Sequence, residues 1–259
     1  MEKFKEYKRE FTDEEMVFHA WDKEMIQDLV GRFVLWWGNG DTRRALDELW
    51  VQEPEHTADA SFATNIGFYV GIDEVRRHLV DEYEQLQRDV LAEFQAARPE
   101  AGYTDADLGM GLTRMHSCTT PQLFIAVDDQ TARYLCYDLG MSGKGHPDGS
   151  GDCYTEYAVL LIELVREQGQ WKIWHLVQEH DFSIESGKNY NDVPTVITDP
   201  NDPSRKDFGD PTIHTEVYDN QFGWEYLFYD MPKPYKTYDE DEGYGPNGKV
   251  GKKFYERIW

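Results

Sequence analysis

Met16, Ala20, Ile26, Val30, Phe33 and Trp37 recur at helical spacing, which predicts a first helix from about Asp13 to Trp37. Thr12 or Asp13 is its candidate N-cap, and Gly38-Asn39-Gly40 ends it. Asp41-Thr42 then caps a short second helix, and Pro54 breaks the chain before a strand-like segment around His56 to Ala63. A hairpin about Asn65-Ile66-Gly67 leads to Gly71-Ile72-Asp73. There a third helix starts, carrying Val75, Leu79, Tyr83, Leu86, Val90 and Phe94 on one face until Pro99. A loop rich in Gly and Asp fills 99–112. From Thr113 the period changes from helical to alternating. Three consecutive long strand segments follow, Thr113–Val127, Thr131–Met141 and Thr155–Phe182, the last holding a short polar turn at Glu167-Gln168-Gly169-Gln170. The pattern predicts an α+β fold, a curved antiparallel sheet wrapped around long N-terminal helices. Ionisable side chains on the inner face of such a sheet would sit in an apolar cavity suited to a small molecule.

After Ser186 the pattern changes again. Proline and glycine recur too often for long regular elements, yet Phe222, Trp224, Tyr226, Phe228 and Tyr229 crowd beside Pro232 and Pro234. A disordered linker lacks so many groups able to bury area. The division expected is therefore a barrel domain at 1–186 and an aromatic, Pro-rich tail at 187–259. The tail would wrap its own domain and cover the pocket mouth, or cross to a neighbouring subunit.

The 259 residues carry 26 basic and 50 acidic side chains, a formal charge of -24, which repels phosphate backbones and anionic headgroups. Nucleic acid and membrane surfaces are thus poor partners. The N-terminal stretch is charged and has no apolar core, and the chain reads as cytoplasmic. Cys118, Cys136 and Cys153 are odd in number, lack metal-type spacing and lie in or beside strands, as buried free thiols do.

Candidate chemistry lies on the strands. His116 changes charge near physiological pH and can give or take one proton in an apolar cavity. Tyr134, Cys136 and Asp138 share one face of the next strand; if that face lines the cavity, Asp138 orients His116 or is itself the base. The opposite alternation would place Tyr137 inside instead. Tyr157 shares a face with Val159 and Leu161 and would donate to a developing oxyanion, or be an ordinary buried phenol. Tyr69, just before Gly71, is a second candidate phenol. His175 follows Trp171 and Ile173 at period two, which points it inward as a second proton-handling group or leaves it at a sheet rim or interface. Phe33, Trp36, Trp37, Phe62 and Tyr137 are the aromatic candidates for substrate-binding walls. Glu179-His180-Asp181 is metal-like in composition, but adjacent strand residues point to opposite faces and cannot converge on one ion without a bulge. No dinucleotide fingerprint, phosphate-cradling loop or nucleophile elbow is present, so neither cofactor nor metal is expected.

The order of elements, with several local motifs, resembles the nuclear transport factor 2-like superfamily, in particular its SnoaL-like branch. The motifs are Gly40-Asp41, Phe68-Tyr69-Val70-Gly71, Met115-His116 leading to Thr120-Pro121, Asp129-Gln130-Thr131-Ala132 and Gly169-Gln170-Trp171-Lys172-Ile173. The match spans about 13–182 and excludes the tail. The resemblance implies a cone-shaped α+β barrel and a dimer or trimer. It also implies activity within a group holding ketosteroid isomerases, dehydratases, polyketide cyclases, formaldehyde-releasing lyases of lignin-derived phenolics and non-catalytic binding proteins. His116 stands where scytalone and bile-acid dehydratases carry a catalytic histidine on the third strand. Where those enzymes place a tyrosine and an aspartate five residues apart late in the first helix, this chain has Phe33 and Gly38. The expectation is a cofactor-independent lyase acting on a hydroxylated aromatic or polycyclic compound, with an isomerase or a ligand carrier as alternatives.

Overall fold

The computed structural model describes residues 12–64, 66–189, 211–214 and 232–256; for Glu15, Asp181, Phe182, His214 and residues 253–256 only the backbone is described. Helix α1 (Asp13–Gly38) is followed by α2 (Thr42–Leu49), the turn-length α3 (Pro54–Thr57) and the hairpin β1 (Ser61–Thr64) and β2 (Gly67–Val70). The next helix runs as α4 (Ile72–Arg76), a π-helical stretch Arg77–Glu82 and α5 (Tyr83–Ala97) without a break. Four long strands come next: β3 (Leu112–Ile125), β4 (Thr131–Gly145), β5 (Gly151–Glu167) and β6 (Gln170–Glu185). The short β7 (Ile213–His214) and α6 (Lys249–Glu256) complete the described elements.

One expectation changes and another holds. Chain from His56 is not yet strand: Pro54 stands at the start of a helical turn, where its fixed φ and missing N–H cost nothing, and β1 begins only at Ser61. The turn expected at Glu167–Gln170 is present: Gln168 and Gly169 both adopt positive φ and reverse the chain between β5 and β6.

The strands form one sheet in the order β3-β4-β5-β6-β1-β2-β7. Neighbours are antiparallel except β1, which runs parallel to β6. Its inner face takes the helices. Ile26, Val30, Phe33 and Trp37 of α1 and Leu46 of α2 pack with Phe62, Tyr134, Cys136, Leu160, Ile162, Ile173 and Leu176. Its outer face is covered as well. Leu135, Val159, Leu161 and Val177 pack with Phe68, Tyr244 and Val250. With both faces buried, Ala158 to Ile162 reads as a continuous apolar run, and burial there no longer reports which face a residue is on.

The described part of the tail is thus part of the particle, in cis. The buried Glu163 carboxylate accepts from Arg133 Nε at 2.8 Å and from the backbone N–H of Tyr244 at 2.9 Å. Val127 and Asp128 donate to the carbonyls of Tyr235 and Lys236, both at 3.1 Å. Phe222, Trp224, Tyr226, Phe228 and Tyr229 lie outside the described residues. No described helix is long and apolar enough to cross a membrane.

Candidate active site

Strand register assembles the site. His116 pairs with Gly140 and Cys118 with Asp138 across β3 and β4; Gly140 pairs with Glu156 and Asp138 with Ala158 across β4 and β5; Leu160 pairs with Gln178 and Ala158 with His180 across β5 and β6. Side chains at paired positions share a face. His116, Asp138, Glu156, Gln178 and His180 therefore converge on the face that meets α1, toward the end of the sheet beyond the apolar core.

Asp138, 1% exposed, accepts at Oδ2 from His116 Nδ1 at 2.9 Å and from Gln178 Nε2 at 3.1 Å. A carboxylate can only accept, so the neutral imidazole carries its hydrogen on Nδ1 and keeps the lone pair on Nε2. That Nε2 is buried and has no hydrogen-bond partner among the described residues, as is Asp138 Oδ1. The imidazole lies flat on the Trp37 indole, 4.2 Å between centroids and 5° between planes, which fixes its rotation. Orientation by carboxylate and indole together leaves a basic nitrogen held still and unclaimed.

A second pair faces the first across Gly140. Glu156 Oε2 lies 3.5 Å from His180 Nε2, and Ser142 Oγ donates to Glu156 Oε1. A Cβ at position 140 would come within 3.3 Å of His116 Nδ1 and 3.4 Å of Glu156 Oε2, so glycine lets the two pairs approach. Burial pushes the Glu156 carboxyl up, but the His180 and Ser142 hydrogen bonds and the charge of His180 outweigh it and hold it at about 2. Arg114, two positions before His116, lies over Tyr83 at 4.0 Å and Trp37 at 5.5 Å, and desolvation lowers its pKa.

The other sequence candidates fall in three places. Phe33, Phe62 and Tyr69 are buried behind Trp37: centroids are 5.4 Å apart for Phe33–Trp37, 6.1 Å for Trp37–Phe62 and 6.5 Å for Phe62–Tyr69. Tyr69 also stacks on His78 of the π-helical stretch at 3.9 Å, and the rings of Phe62 and Trp37 connect it to His116. Trp36, one helix position from Trp37, packs at the edge of the core under the Arg44 guanidinium at 4.2 Å rather than beside His116.

Tyr137, Tyr157 and His175 belong to the outer face. Tyr137 is 37% exposed and its ring lies 5.7 Å from that of Tyr157; since Asp138 faces in, its neighbour in sequence faces out. Tyr157 shares a face with Val159 and Leu161, but these are buried under the tail, not in the interior. His175 is turned outward by a bulge: Leu164 pairs with Ile173 but Glu163 with His175, so Trp174 is an extra residue and the alternation inverts. There His175 Nδ1 meets Ser61 Oγ at 2.9 Å, and the ring sits against Gly245, where a Cβ would come within 2.9 Å. Burial, helped by the charge of His56, pushes its pKa down to about 3, so it stays neutral.

Sequence reasoning did not single out Glu156, Gln178 and Arg114, and it weighed His180 only within the metal-like run Glu179-His180-Asp181. Counting at period two from Trp171 places His175 inside and His180 outside; the single extra residue at Trp174 reverses both, and no side-chain pattern announces it. Glu53, His56 and Glu167 bring ligand-type atoms within 4.8 Å of one another away from this site. Glu167 there already accepts from the backbone N–H groups of Gln52 at 2.8 Å and Glu53 at 3.2 Å and meets His56 Nδ1 at 2.9 Å, which fixes the α3 turn.

No protein-family model matches the sequence, and no curated protein matches it. Solved structures do resemble the chain. A protein provisionally described as a scytalone dehydratase, from Novosphingobium aromaticivorans, is 10% identical with a TM-score of 0.45, over 66% of this chain and 91% of that one. A hexachlorocyclohexane dehydrochlorinase of LinA type from Novosphingobium barchaimii is 15% identical with a TM-score of 0.44, over 66% and 95%. An NTF2-like protein with a cystatin-like fold, from Novosphingobium aromaticivorans, is 15% identical with a TM-score of 0.42, over 64% and 85%. At such values these likenesses carry no weight for reaction or substrate.

Proposed function

We propose that this chain is a cofactor-independent lyase that eliminates water or formaldehyde from a hydroxylated aromatic or polycyclic small molecule. The observation that supports it is the pairing of two imidazoles with two carboxylates on one face, His116 with Asp138 and His180 with Glu156, separated by a glycine. Structural ion pairs such as Arg133–Glu163 have every facing atom engaged, whereas this cluster leaves the buried His116 Nε2 without a partner among the described residues, an arrangement that serves proton transfer and that a ligand carrier does not need. Double-bond isomerisation would use a carboxylate base; Asp138 Oδ1 has no partner among the described residues, but Oδ2 orients His116 and accepts from Gln178, which casts the carboxylate as the group that positions the base.

In this reading His116 Nε2 is the base. For loss of water it takes a C–H proton, the C–H electrons become the new C=C bond, and the C–O bond breaks toward the second pair, where His180 returns a proton to the departing hydroxide. For loss of formaldehyde it takes a hydroxymethyl O–H proton instead. The O–H electrons form the aldehyde C=O, the C–C bond breaks, and its electrons form the C=C bond while a neighbouring hydroxyl leaves as water. Asp138 holds the tautomer and stabilises the imidazolium that forms. Trp37, backed by the buried Phe33 and Phe62, is the apolar group beside His116 that an aryl substrate would meet. A homo-oligomer, dimer or trimer, is the form expected for the particle. The test is a screen of hydroxylated aryl compounds for release of water or aldehyde by the full chain, before and after exhaustive chelation. Turnover that survives chelation supports the reading; turnover abolished by EDTA and restored by one divalent metal contradicts it.

A further inference from the structure

We propose that Arg114 anchors a carboxylate of the substrate, so that the site takes aryl acids in preference to their neutral analogues. This rests on the inner face being the reaction site and adds a substrate class to it. Arg114 pairs in register with Ser142 while His116 pairs with Gly140, which sets the guanidinium one step along the same face from the reacting nitrogen. It lies over Tyr83 and over Trp37, the indole that also stacks on His116.

What sets Arg114 apart is that no described residue accepts from its guanidinium. Other described arginines are engaged: Arg43 by Glu84, Arg44 by Glu48, Arg76 by Asp47, Arg77 by Glu74, Arg133 by Glu163 and Arg166 by Asp22. In a chain with 50 acidic against 26 basic residues, an arginine without an acceptor among the described residues is conspicuous. Glu156, the carboxylate that acts on it electrostatically, has its own oxygens directed to Ser142 and His180. Five N–H donors on a rigid plane, pinned between two rings and partly out of water, match a carboxylate in fork-to-fork geometry. The formal charge of -24 disfavours a multiply charged anion such as phosphate more strongly than a singly charged carboxylate.

The experiment is calorimetric titration of the full chain with trans-cinnamate and with methyl cinnamate, at low and at high salt. Wild type should bind the acid at least tenfold more tightly than the ester, with the preference shrinking as salt rises. Arg114→Gln should bring the two within twofold, and Arg114→Lys should retain part of the preference. His116→Gln should keep it whole, which separates the anchor from the proposed chemistry: loss of turnover with retained preference leaves the anchor standing. Equal binding of acid and ester by wild type, no binding of the acid, or an undiminished preference in a folded Arg114→Gln protein would each overturn it. Should Arg114→Gln not fold, the salt dependence in wild type and the lysine variant decide.

Discussion

At the scale of single residues, His116 is defined by what holds one nitrogen and by what leaves the other alone. Asp138→Asn would keep the volume but offer an amide that can present N–H to Nδ1, releasing the tautomer. It should lower kcat by roughly 10^2- to 10^4-fold while the protein stays folded, as checked by steady-state kinetics beside circular dichroism. His175 makes the opposite case. Its folded pKa of about 3 lies below the ordinary value of 6.5, so between those pH values the unfolded chain binds a proton that the native chain refuses. Glu156 acts in the same direction at lower pH, since its folded value of about 2 lies below the ordinary 4.5. Stability should therefore fall as pH drops through 6.5, by about 2 kcal/mol from His175 alone at pH 5. It should fall further below pH 4.5. Urea titrations from pH 7.5 to 4 check this, and a flat profile would contradict the burial of a neutral His175.

Elements were legible in the chain to different degrees, for reasons that particular residues make clear. The helical periodicity gives the helices, and the parts of it that pack on the sheet are Ile26 to Trp37 and Val75 to Val80, while Met16 at the start of α1 stays half exposed. Alternation along Tyr134, Cys136 and Asp138 gives the correct face of β4, since Tyr137 and Leu139 stay accessible. Alternation fails where both faces are buried, as at Tyr157, Val159 and Leu161, and where one residue is inserted, as at Trp174. Half of the proposed site, Glu156 and His180, depends on strand register that one sequence does not display. The tail's attachment likewise depends on Arg133 and Glu163, which lie on the outer face. Glu163→Gln would leave the Arg133 guanidinium buried without its carboxylate and should cost about 3–5 kcal/mol, measured by chemical denaturation. A cost under 1 kcal/mol would mean that the pair does not bind the tail to the sheet.

At the scale of the whole molecule, the sheet has two occupied sides with different duties. The inner side carries helices, aromatic wall and ionisable pairs; the outer side is sealed by the tail from Tyr235 to Val250. Truncation after Ser186 would expose Leu135, Val159, Leu161 and Val177 and should lower the melting temperature by 10 °C or more, since each such side chain is worth about 1.5–3 kcal/mol when covered. An unchanged melting temperature would make the tail a passive extension. The central claim, that His116 performs the proton transfer, is tested most directly by kcat of His116→Gln beside wild type on a hydroxylated aryl substrate that wild type turns over, with melting curves run in parallel. The predicted result is a fall of at least about 10^3-fold with the melting temperature within a few degrees. A folded variant whose kcat stays within threefold of wild type would contradict it.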